Sequence, residues 1–186
     1  MIFWIILAIV VIYFVMIYNS LVSVKNNVSK AWANIEVLLK QRHDEIPKLI
    51  DTCKQYMQHE QTTLEKVIQA RASVATAQQT HDVHALGNAE GGLRASLGSL
   101  FALAENYPDL KANETFLNLQ SRISSLENAI ADRREFYNES VNINNVRIEQ
   151  FPDLIVAKLL SFPRFTLLNF SAAELVDVDV AQRFKA

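Results

Sequence analysis

The first eighteen residues contain no charge, no proline and no glycine, and the first charged side chain is Lys25. An α-helix rises about 1.5 Å per residue, so roughly twenty apolar residues cross the hydrocarbon core of a bilayer. The sequence therefore predicts a membrane-spanning helix within residues 1–24. The rest of the chain is then expected to fold at a membrane surface, and the lipid bilayer is an expected partner.

This apolar stretch lacks the features of a cleaved secretory signal. No Lys or Arg precedes it, it is longer than a signal core, and no small-residue cleavage pattern follows it. Basic residues come after it, at Lys25, Lys30, Lys40 and Arg42, and such residues stay on the cytoplasmic side. We expect an uncleaved single-pass anchor with the N-terminus outside and the C-terminal part in the cytosol. The single cysteine, Cys53, fits a reducing compartment.

The composition of the remaining residues points to one helical domain. The net charge of -2 produces no field that would attract nucleic acid, so nucleic-acid binding is not expected. The four glycines all lie between Gly87 and Gly98, and the chain has only four prolines. Such sparse helix breakers are typical of long helices.

Apolar or small side chains recur at steps of three and four residues after the anchor, which places them on one helical face. The phase survives Pro47, so we expect one long helix that leaves the membrane, bends at Pro47 and continues to about Val74. The alternative is a break within residues 42–46, with Pro47 in the first turn of a new helix. The stripe comprises Val24, Val28, Ala31, Ile35, Leu38, Ile46, Leu49, Cys53, Tyr56, Leu64, Val67 and Val74.

A polar connection is predicted at 78–88, followed by a shorter helix at 89–104 and a turn at 106–109. The glycines of that helix would let another backbone approach closely. Asn113 is expected to cap a last long helix whose stripe runs from Phe116 to Phe151, before Pro152 stops it.

Polar side chains interrupt the stripe of the last helix at Arg133 or Arg134 and at Asn144. Polar groups in a buried seam destabilise a bundle unless they are paired. These residues are therefore either register-setting contacts or groups that await a partner.

Taken together, the patterns predict an all-α fold: one N-terminal transmembrane helix, then an antiparallel up-and-down bundle of three long or medium helices with a short C-terminal helical segment. The predicted divisions are an anchor at 1–24, a bundle at 25–151 and an apolar tail at 152–186. The tail is expected to pack on the bundle, the membrane or a partner.

A series of short motifs runs in order along the chain. They are Tyr18-Asn19-x-Leu21-Val22, Ala31-Trp32-x-x-Ile35, Arg42-His43-Asp44-x-Ile46-Pro47-x-Leu49, Tyr56-x-x-His59-Glu60, Ala70-Arg71-Ala72, the run from Glu105 to Asn113, Arg134-x-x-Tyr137-Asn138 and Phe151-Pro152-x-x-x-x-Ala157. In these motifs the chain resembles the LemA family of bacterial membrane proteins.

The resemblance implies a single N-terminal span in the bacterial inner membrane, a bundle of long helices and no known catalytic residues or cofactor. Members are linked with membrane-surface functions, including the building of magnetosome organelles, and often neighbour genes of membrane metalloproteases. The chain departs from the family in two places. It has Asn144-Asn145 where members often carry Tyr-Asn, and residues 76–97 are its least family-like part.

No group of residues has a complete catalytic or metal-binding spacing. His59-Glu60 lacks the second histidine of a zinc-protease motif, since Thr63 stands at that position. His81-x-x-His84 has a zinc-compatible spacing but no further ligands, so solvated loop histidines are the better interpretation. Cys53 lies on the apolar stripe, where a thiol is usually inert packing. We expect no metal and no cofactor.

The mixed charges of residues 42–45 have two interpretations. They either form a hydrogen-bonded cluster that satisfies a carbonyl freed by Pro47, or they form a binding site. We predict a structural or partner-binding polar cluster that comprises Arg42, His43, Asp44, His59, Glu60, Arg134, Tyr137 and Asn138.

Two classes of function fit the sequence. The preferred one is a non-catalytic, membrane-anchored scaffold or adaptor that forms homo-oligomers or docks a protein partner at the membrane. The alternative is a regulator or accessory of a membrane enzyme such as a metalloprotease, or an enzyme of unknown chemistry. An enzyme would need His59, Glu60, Arg134 and Tyr137 to converge.

Overall fold

The structure is a computed structural model and describes residues 1–80 and 82–169. Within these residues the chain forms helices and no strand, which confirms the predicted all-α fold. The helices are α1 (Ile2–Lys54), α2 (Gln61–Gln79), α3 (Val83–Ala104), α4 (Pro108–Lys111), α5 (Glu114–Arg147) and α6 (Asp153–Leu159). The residues after 169, and His81, lie outside the described part of the chain.

α1 is long and apolar enough to cross a membrane, by its length and composition. Residues 1–16 are exposed on every side of the helix, and Ile17 is the first buried residue. The helix continues through Pro47 to Lys54, so the predicted break within residues 42–46 is absent.

The prediction of one helix to Val74 is wrong, because α1 ends at Lys54 and α2 begins at Gln61. The Cys53 carbonyl accepts bonds from the backbone N–H groups of Tyr56 and Met57, at 3.0 and 2.8 Å, as the chain turns. Met57 is buried within the turn. Both helices present an apolar face to one core, so the spacing of apolar residues stays in phase across the turn. The sequence pattern therefore gives no sign of the turn.

The predicted connection at 78–88 and the helix start at residue 89 are also wrong. α2 extends to Gln79, and α3 begins at Val83 behind a cap formed by Asp82. The Asp82 carboxylate accepts hydrogen bonds from the backbone N–H groups of His84 and Ala85, both at 2.9 Å. An N-cap of this kind satisfies free N–H groups of the first turn, so a polar segment becomes a helix start.

The start of α5 matches its prediction. The Asn113 side-chain oxygen accepts a bond from the Phe116 N–H at 3.0 Å, which is the expected cap. The other end does not match, because α5 ends at Arg147 and not at Pro152. Phe151, expected on the buried stripe, therefore lies in a turn and is 81% exposed.

The described residues form two compact units. The first unit contains residues 1–39 and 129–167. In it α1 and α5 run antiparallel, since Arg147 donates to the Ser20 hydroxyl at 3.0 Å and the rings of Trp32 and Tyr137 lie 5.3 Å apart. α6 packs on α1 through a cluster of Ile17, Leu21, Val156 and Ala157.

α6 ends in a Schellman motif. Ser161 adopts a positive φ of 51°, the Phe162 N–H donates to the Ala157 carbonyl at 3.0 Å, and Phe162 packs against the cluster beneath α6. Beyond this turn, residues 162–167 form no helix.

The second unit contains residues 40–128 and, among described residues, Leu168 and Asn169. The end of α1, α2, α3 and the start of α5 surround one core, with α2 and α3 packed together. The core side chains are mostly leucine, isoleucine and valine and include Ile46, Leu49, Cys53, Leu64, Val67, Leu86, Leu93, Leu97, Leu100, Leu110, Phe116 and Ile123.

Candidate functional site

A layer of charged side chains interrupts the apolar core of the second unit. We call it the charged layer, and it comprises Arg42, His43 and Glu45 on α1, Arg71 on α2, Glu90 on α3 and Glu127 on α5. Arg42, Glu45 and Glu90 are buried. A buried charge persists in a folded protein only when it is paired or hydrogen-bonded, so the partners of these groups decide their role.

Arg42 pairs with Glu90, whose carboxylate accepts a bond from the Arg42 guanidinium. Arg42 occupies a core position of α1, one turn before Ile46, and Glu90 occupies a core position of α3 between Leu86 and Leu93. The two charges are therefore neutralised inside the bundle.

Glu127 adds a second carboxylate near this pair. Burial raises the pKa of Glu127, while the positive charges of Arg42 and Arg94 lower it. Its Oε1 atom is buried and has no hydrogen-bond partner among described residues.

The carbonyl that Pro47 frees is satisfied by Arg71. Proline lacks an N–H, so the His43 carbonyl loses its helical partner at position 47. The Arg71 Nε atom donates to this carbonyl at 3.0 Å, and its Nη2 atom lies 2.6 Å from the His43 ring nitrogen Nε2. α1 can continue through the proline because a side chain from α2 replaces the missing backbone donor.

The basic partners of the buried Glu45 are exposed to solvent. Glu45 accepts from Arg122 at 2.8 Å and from Lys48 at 3.2 Å. Asp44 pairs with Lys40 at 2.6 Å, and the hydrogen bond from Lys40 lowers the pKa of Asp44. The charged residues 42–45 therefore have partners both along α1 and on α2, α3 and α5.

The first unit contains a different polar arrangement, which holds the segment after α6 against α5. The Asn145 amide donates to the Phe165 carbonyl at 2.9 Å and accepts from the Phe165 N–H at 3.1 Å. Asn144 donates to the Pro163 carbonyl at 3.1 Å, and the Tyr137 hydroxyl donates to the Thr166 carbonyl at 3.0 Å. We call Tyr137, Asn144 and Asn145 the tail clasp.

The tail clasp shows why a polar residue interrupts the stripe of α5. Asn144 is 1% exposed, and its donor reaches a backbone carbonyl that no helix or sheet satisfies. Burial raises the pKa of Tyr137, so its hydroxyl keeps its proton as a donor. Arg134 is buried and Asn138 half-buried on the same helix.

A groove lies between α1 and α5 in the first unit and has a volume of about 400 Å³. We call it the α1/α5 groove. Phe136 and Ile143 line it and are 47% and 46% exposed. Lys30, Arg133 and Glu139 add charges of both signs, and Val24, Asn27, Asn34 and Ser140 complete the lining.

His59 and Glu60 lie in the turn between α1 and α2, not on a continuous helix as predicted. His59 is exposed, and Glu60 accepts from the Tyr107 hydroxyl at 3.2 Å. Both residues belong to the second unit, as do Arg42, His43 and Asp44, whereas Arg134, Tyr137 and Asn138 belong to the first. A role of these residues in partner binding stays a prediction.

The chemistry available in the described residues is limited. Burial raises the pKa of Cys53 to about 12, so its thiol is a poor nucleophile at neutral pH. Within residues 1–80 and 82–169, no three His, Cys, Asp or Glu side chains are placed to hold a metal ion. The predicted His81 pair with His84 lies partly outside the described residues.

Sequence reasoning missed Glu90, Glu127, Lys30 and Glu139. The signal for Glu90 was a carboxylate at a core spacing, between Leu86 and Leu93. Lys30 and Glu139 resemble ordinary surface charges in the sequence. Only the packing of α1 on α5 places them in one groove.

Comparison with known proteins identifies the family of this helical chain. The model of the LemA family matches residues 31–181. Protein LemA of Metamycoplasma hominis is 30% identical over 181 residues, which cover 95% of this chain and 81% of that protein. The chain therefore belongs to the LemA family.

Two further relatives match a shorter region. Magnetosome protein MamQ 2 of Paramagnetospirillum magneticum and magnetosome protein MamQ of Magnetospirillum gryphiswaldense are each 34% identical over 80 residues. These matches cover 43% of this chain and 29% of each relative.

Proposed function

We propose that this chain is a non-catalytic scaffold that is anchored by α1 in the bacterial inner membrane and assembles with copies of itself through the α1/α5 groove. The observation that carries the proposal is the groove itself, in which exposed apolar side chains lie among charges of both signs. Exposed apolar patches with a polar rim are typical of interaction surfaces.

The charges of the groove suit a second copy of the same chain. Ser20 lies beside Arg147, and Trp32 lies beside Tyr137. In this antiparallel register, Lys30 of α1 lies at the same level along the helix pair as Glu139 of α5. Neither Lys30 nor Glu139 makes an ion pair in the described part of the chain. Each is therefore available to an opposite charge at that height.

A shared membrane fixes the relative height of two copies. If both are inserted in one direction, a twofold axis along the membrane normal places Lys30 of each copy opposite Glu139 of the other. Two equivalent charge pairs then flank the apolar contacts of Phe136 and Ile143. Confinement to a membrane also raises the effective concentration of the copies, which favours weak contacts.

Charge reversal tests this geometry. Lys30→Glu places two carboxylates opposite each other in both halves of the interface, and Glu139→Lys places two ammonium groups there. We expect each variant alone to dimerise roughly tenfold more weakly, since both exposed charge contacts of the dimer change sign together. A mixture of the two variants restores both opposite-charge pairs, so hetero-dimers should form at the strength of the parent.

The measurement is native mass spectrometry of the full chain in mild detergent, with two mass-tagged variants mixed. Glu135→Lys is the matched control, because Glu135 is exposed on α5 and does not line the groove. The proposed homo-oligomer would be overturned if each single variant dimerised as strongly as the parent. It would also be overturned if the mixture of variants failed to form hetero-dimers at the strength of the parent. A stoichiometric second protein in complexes extracted from native membranes would instead favour an adaptor or a regulator of a membrane enzyme.

A further inference from the structure

We propose that α6 and the turn before it rest in the headgroup region of the bilayer, as a second membrane contact besides α1. This surface consists of Phe151, Ile155, Leu159 and Leu160, and we call it the α6 patch. Ile155 and Leu159 are 58% and 69% exposed, although they are large aliphatic side chains. The inference rests on the proposed anchoring of α1 in a membrane.

α6 has apolar side chains on two faces. Val156 and Ala157 face α1 and are buried. Ile155 and Leu159 are four residues apart on another side of α6, where they are exposed, and Phe151 is exposed in the turn before the helix. A short helix with a second apolar face in water is unfavourable, so this face requires an apolar environment.

The position along α1 at which α6 packs identifies that environment. It packs on Ile17 and Leu21, which are the first buried residues of α1. Counted from Ile2 at the rise of an α-helix, Leu21 lies about 28 Å along the helix, close to the thickness of a hydrocarbon core of about 30 Å. The α6 patch is therefore level with the point at which the proposed span leaves the lipid.

The aromatic residues at this level fit the same position. The rings of Tyr18 on α1 and Phe162 after α6 meet edge to face, with centroids 6.1 Å apart. Tyrosine is favoured at the boundary between hydrocarbon and headgroups, since its ring is apolar and its hydroxyl polar. Both the N-terminal part of α1 and the α6 patch expose large apolar side chains.

The charged groups near α6 are compatible with lipid headgroups. Asp153 pairs with Arg147 at 2.5 Å, and Glu149 pairs with Arg164 at 2.7 Å, so these four charges are balanced. Lys25 and Lys158 remain as exposed positive charges. Lysine side chains extend to headgroup phosphates while their methylene groups lie along apolar surface.

The test measures the depth of single fluorescent labels in the full chain reconstituted into phosphatidylcholine vesicles with some phosphatidylglycerol. Ile155→Cys and Leu159→Cys are labelled with a polarity-sensitive dye, and the buried Cys53 is replaced by alanine in every variant. Glu135→Cys provides a water-exposed reference on α5, and Val10→Cys provides a reference within the proposed span.

We expect the labels at 155 and 159 to emit at shorter wavelength than the label at 135. We also expect a nitroxide attached near the lipid headgroup to quench them, and aqueous iodide to have little effect. These results should not change when the protein is diluted in lipid, because the contact is with lipid and not with another copy.

Three results would overturn the inference. Quenching of the labels at 155 and 159 by iodide, as at 135, would show that the patch faces water. A blue-shifted emission that neither quencher reduces would show that protein covers it. If the label at Val10 is also open to iodide, the anchoring by α1 fails as well, which separates that failure from a failure of the α6 contact alone.

Discussion

Arg42 carries a charge that is enclosed between helices of the second unit. Its pairing with Glu90 compensates that charge, whereas the neighbouring Glu127 has an oxygen without a hydrogen-bond partner among described residues. Removing one partner of a buried pair leaves the other charge uncompensated. Glu90 should therefore contribute more than Glu127 to the free energy of unfolding.

We predict that Glu90→Gln lowers the free energy of unfolding by about 3 kcal/mol, as breaking a buried ion pair does. Glu127→Gln should cost less than about 1 kcal/mol, since it removes a carboxylate that burial already disfavours in its charged form. Urea unfolding of the full chain in detergent, followed by circular dichroism, measures both. Equal losses would contradict the assignment of Glu90 as the partner of Arg42.

His43 should make the stability depend on pH. Burial, and then the Arg71 guanidinium, lower the pKa of His43 below its ordinary value of 6.5. The folded chain therefore binds a proton less readily than the unfolded chain. Stability should be fully present above pH 6.5 and fall as the pH is lowered through 6.5 towards the folded pKa.

The check is the urea midpoint measured across this pH range. His43→Gln should lose the decline assigned to His43, because glutamine does not titrate. His84→Gln changes an exposed histidine on α3 and should retain the decline. An unchanged pH profile in His43→Gln would exclude the contact with Arg71 as its source.

At the scale of elements, two glycines of α3 differ in what surrounds them. A Cβ atom on Gly87 would lie 2.2 Å from the backbone oxygen of Asn169, whereas a Cβ atom on Gly98 would meet nothing within 4 Å. The sequence predicted a close approach at the glycines of a helix over 89–104, but Gly92 and Gly98 have open space around them. The close approach is at Gly87, which the sequence had placed in the preceding connection.

Gly87→Ala should therefore destabilise the second unit by about 1–3 kcal/mol, since the backbone of Asn169 must shift. Gly98→Ala should stabilise it by about 0.5–1 kcal/mol, because alanine restricts the unfolded chain and favours the helix. Thermal unfolding of the two variants and the parent measures both changes in stability. The same sign of change in both would refute the close approach at Gly87.

The tail clasp is the second element-scale feature. Asn145 makes two hydrogen bonds to the backbone of Phe165, and its loss leaves a donor and an acceptor of that segment without these partners. Asn145→Ala should release the segment from α5. Two lost hydrogen bonds correspond to about 1–2 kcal/mol, so the open state should become roughly tenfold more populated.

Trypsin measures this release, because Arg164 lies within the segment that the tail clasp holds. Cleavage after Arg164 should accelerate in Asn145→Ala by the same factor. Asn142→Ala, an exposed position on the same helix, should leave the rate unchanged. Equal rates in all three proteins would mean that other contacts hold the segment.

At the scale of the whole molecule, the distribution of basic residues predicts the orientation in the membrane. Lysines follow the apolar part of α1 and none precedes it. We therefore predict that Ile2→Cys reacts with a membrane-impermeant maleimide on intact bacterial cells, after removal of the outer membrane, and that Lys54→Cys reacts only after lysis. Replacing Lys25 and Lys30 by glutamine and adding two lysines before Phe3 should reverse this pattern. The opposite labelling in the parent would contradict the orientation.

The sequence by itself determined the apolar N-terminal helix, the helical fold, the cap at Asn113 and most core positions of α1 and α5. These features depend on residues within a few turns of one another, so periodicity and capping reveal them. The spacing also gave the polar interruption at Asn144, but not its partner. A stripe specifies which face of a helix is buried without specifying what that face meets.

Only the tertiary structure decided the rest. Glu90 lies 48 positions from Arg42, Arg71 lies 28 positions from His43, and Phe165 lies 20 positions from Asn145. The turn after Lys54 was concealed because α1 and α2 present apolar faces to the same core. The contacts that satisfy buried charges, freed carbonyls and an extended segment join residues distant in the chain, and their formation depends on how the helices pack.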